Sequence, residues 1–221
     1  MLIVEELHLL LLRPDGRVES AASAHRLYGE IAAVIVDLAL HGRVAVTADR
    51  NPAVQIWSAE PTGHPVLDGA LARLTPVNGA RLQSLVMRSK LDPLEDVVAS
   101  LVHQGVLVRG ERGFFGSQRT PEVDPGPEAL LRSRLAAVLA GTTAPVQADL
   151  TLLSILQALN AAHPVLRAEA GVATAGQLKK RIEQLAAGSP AGDAVAKAVT
   201  GAVAAALMVA MTPVFIAATV T

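Results

Sequence analysis

The chain has 221 residues, 51% of them hydrophobic but only 2% aromatic, with a formal net charge of -1 and no cysteine. This length is enough to bury one sizeable core, which must be built mainly from Leu, Val and Ala side chains. The lack of cysteine excludes disulfides and thiolate metal sites. The near-neutral charge disfavours a protein whose main task is to neutralise nucleic-acid phosphates.

The first part of the chain alternates predicted helices with short strands. Asp15 and Gly16 have turn chemistry and end the first helix, and Gly42 ends the second and leads directly into a strand. The predicted segments are helices at 2–12, 23–41, 65–74 and 79–88, and strands at 43–46 and 54–57 that form a hairpin.

A second helix, glycine and strand sequence follows about sixty residues later. Asp92 is predicted to cap a helix whose first position is Pro93, and Gly105 is predicted to end it in the left-handed conformation. Residues 106–109 then form a strand, 110–113 form a turn, and Phe114 and Phe115 begin the return strand. The pattern predicts a second hairpin.

The remainder of the chain is predicted to be helical, at 128–140, 146–161, 174–187 and 193–211. Residues 198–221 carry no charge and are numerous enough to cross a bilayer. Their Ala, Thr and Gly content makes them only weakly lipophilic, which favours a buried core helix that Pro213 ends near Thr212. No secretory signal is predicted at the start, because Glu5 and Glu6 interrupt the first apolar run.

Residue patterns typical of catalysis are missing from the sequence. It has no nucleophile elbow and no Walker loop, and its histidines form no helical metal-binding pair. We therefore predict no enzymatic activity, no cofactor and no metal. The six histidines are scattered along the chain: His8, His25, His41, His64, His103 and His163.

Several blocks, in collinear order over nearly the whole length, resemble a known family. They are Val4-Glu5-Glu6-Leu7 with Asp15-Gly16, Leu38-Ala39-Leu40-His41-Gly42-Arg43, Pro65-Val66-Leu67-Asp68 with Ala70-Leu71, Leu101-Val102 with Gly105-Val106-Leu107 and Phe114, and the alanine-rich closing helix. The family is that of Golgi phosphoprotein 3, a group of phosphoinositide-binding proteins. The abundance of arginine over lysine, fifteen to four, indicates a bacterial member.

The resemblance implies a mainly α fold. One compact domain would span residues 1–221, with a buried central helical core, peripheral amphipathic helices and short β-hairpins. It also implies a non-catalytic, cytoplasmic protein that associates peripherally with membranes. In the family this domain binds phosphatidylinositol 4-phosphate, engages the tails of membrane enzymes and associates with further copies through the hairpin. Anionic lipid, tails of membrane proteins and a homo-oligomer are therefore the expected partners.

The lipid pocket of the family uses a tryptophan and three arginines. The corresponding positions here hold Ala21 or Ala22, Glu30 or Ile31, Leu91, and Leu94. None of them supplies a guanidinium fork for a phosphate. We therefore do not expect the headgroup specificity of the family to carry over.

The second hairpin is the predicted membrane contact. Phe114 and Phe115 would enter the interfacial layer while Arg109, Arg112 and Arg119 meet anionic lipid, each basic contact contributing about 1 kcal/mol. Two other readings stay open: Phe114 closes the core beneath the hairpin, or the hairpin docks on another protein.

A winged-helix nucleic-acid-binding protein is a further alternative, because its wing is built in the same way. Residues 93–104, which precede the hairpin, contain Glu95 and Asp96 but no Lys or Arg. A recognition helix would carry basic or amide side chains toward bases and phosphates. The sequence therefore disfavours nucleic acid as a partner.

Overall fold

The helices of this protein surround two central ones, and within the described residues they are accompanied by one small two-stranded sheet. The computed structural model describes residues 1–13, 15–19, 23–110, 119–171, 174–188 and 194–211. Within these ranges the elements are α1 Ile3–Leu11, α2 Arg26–Leu40, β1 Val44–Val46, β2 Val54–Ile56, α3 Pro65–Leu74, α4 Leu82–Val86, α5 Leu94–His103, α6 Gly126–Ala140, α7 Gln147–Ala158, α8 Ala162–Ala170, α9 Ala175–Gly188 and α10 Ala194–Ala210. The predicted mainly α fold is confirmed.

The core is centred on α1 and α2, which pack against each other. All nine residues of α1 are buried, and α2 is buried from Gly29 to Leu38. Ala32 and Ala33 have no exposed surface, and such small side chains let neighbouring helices approach closely. Helices α5, α6 and α7 cover α1, while α7 and α10 cover α2.

Helix α10 is a core helix over the part that the structure describes. Val199, Val203 and Leu207 are buried, and the helix packs on α2, α4 and α7. Among the described residues, no helix has both the length and the apolar character needed to span a bilayer. Pro213 and the kink predicted there lie outside the described residues.

In the C-terminal half, the described residues form five helices where the sequence pattern predicted four. The prediction extended one helix to residue 161, but α7 ends at Ala158 and Asn160 adopts a positive φ of 56°. Helix α8 then begins at Ala162 and was missed. Pro164 lies in its first turn, where a missing N–H breaks no helical hydrogen bond.

Helices α2 and α5 both end next to the predicted glycines, but among the described residues a strand follows only Gly42; the predicted strand at 106–109 is reduced to a single bridge between Leu107 and Glu122. Gly42 and Gly105 have φ values of +64° and +75°, a left-handed conformation that favours glycine. After Gly42, β1 and β2 form an antiparallel pair in which Val44 faces Ile56 and Val46 faces Val54. These strands are shorter than predicted by one residue each, at 43 and at 57.

After Gly105 the chain forms two paired arms, residues 106–110 and 119–123. The Val108 N–H donates to the Pro121 carbonyl at 3.0 Å, and the Gly110 N–H donates to the Arg119 carbonyl at 2.9 Å. The predicted turn at 110–113 is therefore wrong at Gly110, which still belongs to an arm. The residues that link the arms, 111–118, lie outside the described ones and include Phe114 and Phe115.

The most perturbed buried carboxyl group lies where α1 begins. The two carboxylate oxygens of Asp37 each accept a backbone N–H, from Ile3 and from Val4, at 3.0 Å. Burial raises the pKa of Asp37 to about 7, against the lowering effect of these two hydrogen bonds. In the unfolded chain the same group titrates near 3.8.

We expect Asp37 to make the protein less stable as the pH rises toward 7. At a pH between the Asp37 pKa of the unfolded chain and that of the folded protein, the carboxyl group is protonated in the folded state but ionised in the unfolded state. The stabilising contribution is therefore full below the unfolded pKa and declines through the interval, by on the order of 1 kcal/mol per pH unit. Between about pH 5 and pH 7, urea unfolding should show a steeper decline of the unfolding free energy with pH in the native protein than in Asp37→Asn, where the other titrating groups still contribute. Equal slopes in the two proteins would contradict the assignment to Asp37.

Candidate functional site

The hairpin base presents two of the three predicted membrane-contacting arginines. Arg119 is exposed, and the side chain of Arg109 is 38% exposed, with Nη1 lying 3.0 Å from Glu95 Oε2. Exposed pairs of this kind contribute only about 0–1 kcal/mol to stability. Arg112, Phe114 and Phe115 lie outside the described residues, and their predicted roles stay predictions.

The arms are held in place from two sides. On one side the Thr120 N–H donates to the Gly16 carbonyl at 3.2 Å, so the turn after α1 supports the second arm. On the other side Glu122 faces Glu128 at the start of α6. Burial, with the charge of Glu128 next, raises the pKa of Glu122 to about 7.

The positions that align with the family's lipid pocket are mostly part of the core. Glu30 has no exposed surface, while Ile31 and Leu91 are 2% and 7% exposed. Leu94 is half-buried at the start of α5. Ala21 and Ala22 lie outside the described residues. None of the four described side chains offers a hydrogen-bond donor to a phosphate.

A guanidinium group does lie in this region, at a position that sequence reasoning passed over. Arg26 begins α2, and its side chain is 14% exposed. Its Nη1 and Nη2 donate to Asp92 Oδ1 and Oδ2 at 3.1 and 2.7 Å, and Nη1 also pairs with Glu30. The signals that could have found it are the four-residue spacing from Arg26 to Glu30 and the helix-capping position of Asp92.

The charge of Arg26 is therefore used within the fold. Burial disfavours its cation, but the hydrogen bonds and charges of Asp92 and Glu30 prevail and raise its pKa above the usual value. Glu30 in turn accepts from Nδ1 of the buried His8 at 2.8 Å. One cation facing two carboxylates has no net positive charge to offer a phosphate headgroup.

The structure brings together side chains that look scattered in the sequence. His41, His64 and His103 line one cavity between α1, α2, α3 and α5, together with Glu5 and Asp96. Over the described residues, no group of three or more His, Asp or Glu side chains could hold a metal ion.

The family model described as Golgi phosphoprotein 3 (GPP34) matches residues 3–202. The matched range begins with α1 and ends within α10, so it includes both central helices, the paired hairpin arms and the Arg26 cluster. No curated protein matches the chain.

Proposed function

Because the chain belongs to the Golgi phosphoprotein 3 (GPP34) family, we propose that it is a non-catalytic, cytoplasmic protein that associates peripherally with anionic membranes. The family match over residues 3–202 is the observation that carries this proposal. We further propose that residues 1–221 act as one domain of this family, and that the protein brings the tails of membrane proteins to the bilayer surface.

The second hairpin is the proposed membrane contact. The last observed hydrogen bond between its two arms joins Gly110 and Arg119. In the sequence, Phe114 and Phe115 stand midway between these two residues. Arg109 and Arg119 flank the linking residues on exposed positions. Aromatic side chains between exposed arginines suit an anionic interface, where rings enter the headgroup layer and guanidinium groups pair with phosphates.

We expect this contact to follow the charge of the membrane rather than one headgroup. In the region that would recognise phosphatidylinositol 4-phosphate in the family, the guanidinium of Arg26 is neutralised by Asp92 and Glu30. Arg109 and Arg119 are exposed at the hairpin base, where they can contact any lipid phosphate. Nonspecific anionic binding is therefore the form of membrane association that the geometry supports best.

Co-sedimentation with liposomes tests the proposal. We expect the full-length protein to sediment with phosphatidylcholine vesicles that contain phosphatidylglycerol, and no better when phosphatidylinositol 4-phosphate supplies the same negative charge. Binding should fall as salt is raised, because the arginine contacts are screened. The Phe114→Ser, Phe115→Ser double variant should lose at least ten-fold in affinity, since two rings no longer enter the interface.

Trp57 provides a matched control, because it is an aromatic residue beside the other hairpin and is 82% exposed. Trp57→Ser should bind anionic vesicles as the native protein does. If Trp57→Ser loses binding and the phenylalanine variant keeps it, the membrane contact would lie on the β1–β2 hairpin instead of the second hairpin. A strong preference for phosphatidylinositol 4-phosphate would show a headgroup pocket that the Arg26 geometry argues against. No binding to any vesicle would overturn the membrane role.

A further inference from the structure

A groove of about 480 Å³ lies between α9 and α10, over α7, which packs against both helices. Most of its described surface is apolar. Ile182 and Ala186 line it from α9, and Ala204 and Met208 line it from α10. Met211, the last described residue, also lines it. The groove therefore extends to the point where the described part of the chain ends.

The polar residues of the groove add no net charge. Lys179 and Glu183 lie 3.9 Å apart and are both more than half exposed, so the two charges balance. The uncharged polar residues that line the groove are Ser154, Gln157 and Asn160. Their side chains can donate to and accept from a peptide backbone, which an acyl chain could not use.

The groove also leaves apolar surface in contact with water. Met208 is more than half exposed, although Val203 and Leu207 of the same helix are buried. Covering this surface is favourable, because apolar area is removed from water. The groove therefore suits an uncharged peptide segment with large apolar side chains.

The sequence that follows Met211 has this composition. Residues 212–221 carry no charge, and Val214, Phe215 and Ile216 are three consecutive apolar residues. Pro213 lacks an N–H and disfavours the helical conformation of the residue before it. It therefore opposes a straight extension of α10 beyond the groove.

Covalent attachment favours this segment over other occupants. Phe215 is four residues from Met211, and four extended residues span at most about 14 Å. The segment is thus held close to the groove, at an effective concentration on the order of millimolar. A second copy of the chain or a separate peptide would lose translational and rotational freedom on binding.

We propose that Val214, Phe215 and Ile216 dock in this groove and cover the exposed side chain of Met208. The interaction takes place within one chain and uses no residue of the second hairpin. It does not depend on the proposed membrane contact.

Disulfide trapping tests this contact, because the chain has no cysteine and introduced thiols report without background. In the full-length protein without lipid, Ile216→Cys should form an intramolecular disulfide with Ala186→Cys under mild oxidation. The matched control combines Ile216→Cys with Ala187→Cys, since Ala187 is the next residue of α9, is exposed and is not among the described residues that line the groove. We expect the Ala186 pair to close at least ten-fold faster. Equal rates would overturn the proposal, and so would disulfides between two chains, which would indicate a second copy as the occupant.

A second pair of variants tests the apolar side chains without cross-linking. The Phe215→Ser, Ile216→Ser variant should uncover the groove and at least double the fluorescence of the hydrophobic dye ANS. The Ala217→Ser, Ala218→Ser variant introduces as many serines into the same segment and should leave the fluorescence near that of the native protein. Circular dichroism spectra that match the native protein would show that both variants fold. Unchanged fluorescence in Phe215→Ser, Ile216→Ser would overturn the proposal. Loss of its binding to anionic vesicles would also overturn it, because the segment would then insert into the bilayer.

Discussion

The Glu30→Ala variant is expected to lose about 3–5 kcal/mol of unfolding free energy, the usual loss when one partner of a buried charge pair is removed. Glu30 has no exposed surface, and it both pairs with Arg26 and accepts from Nδ1 of His8. Nε2 of His8 is buried and already lacks a partner. Without Glu30, a buried imidazole would have no hydrogen bond and Arg26 would depend on Asp92 alone.

Chemical denaturation of native and variant proteins at one pH measures this loss. Glu183→Ala is the matched control, because Glu183 is 60% exposed and makes only a long contact to Lys179; its change should be within about 0.5 kcal/mol. A variant in which His8, Arg26 and Glu30 become Leu, Met and Leu should recover most of the stability, since apolar residues of similar size often replace buried charges without loss. A loss below about 1 kcal/mol in Glu30→Ala would show that the cluster does not stabilise the fold.

The same cluster bears on the lipid preference proposed above. Arg26, at the start of α2, pairs with Asp92, which lies two residues before α5. Without this pairing, both charged side chains could bind a ligand. A phosphate could reach Arg26 only by displacing the Asp92 carboxylate, which holds the guanidinium through two hydrogen bonds. Specific phosphoinositide recognition at this place would thus compete with the packing of α2 against its neighbours.

Features set by a few adjacent residues could be predicted from the sequence. Gly42 and Gly105 end helices in the left-handed conformation because a side chain is disfavoured there. Helix α3 has the predicted bounds, since Pro65 fits the first helical position. Asp92 caps α5 as expected, with Oδ1 accepting the Leu94 N–H at 3.0 Å, although the helix begins one residue later than predicted.

Features that depend on distant residues could not be predicted in this way. Arg26 and Asp92 are 66 positions apart, and nothing in either local pattern indicates the other as its partner. His41, His64 and His103 share a cavity only because the ends of α2 and α5 and the start of α3 meet there. Helix α8 was missed for local reasons, although Ala162, Val165 and Leu166 are buried at helical spacing: it has only nine residues, Pro164 lies in its first turn, and the backbone is kinked at Leu166.

The Gly16→Ala variant is expected to lose about 2–5 kcal/mol of unfolding free energy and to loosen the second hairpin. Gly16 has a φ of +73°, and a Cβ there would lie 2.5 Å from Pro121 N and 2.7 Å from the Thr120 carbonyl carbon. The left-handed conformation contributes about 1–2 kcal/mol of this loss, and the overpacking about 1–3 kcal/mol. Because the clash is with backbone atoms, the second arm must move, which breaks the hydrogen bond from the Thr120 N–H to the Gly16 carbonyl.

Gly63→Ala separates the two contributions, because Gly63 has a φ of +84° but a Cβ there would meet no atom within 4 Å. This control should lose only about 1–2 kcal/mol, the cost of the left-handed conformation. Hydrogen exchange provides the second measurement: the Val108 and Gly110 amides, which donate to the opposite arm, should exchange faster in Gly16→Ala but not in Gly63→Ala. If the turn at Gly16 positions the arms for membrane contact, vesicle binding should also weaken in Gly16→Ala alone. Equal stability losses and unchanged exchange in both variants would show that the arms are held without this turn.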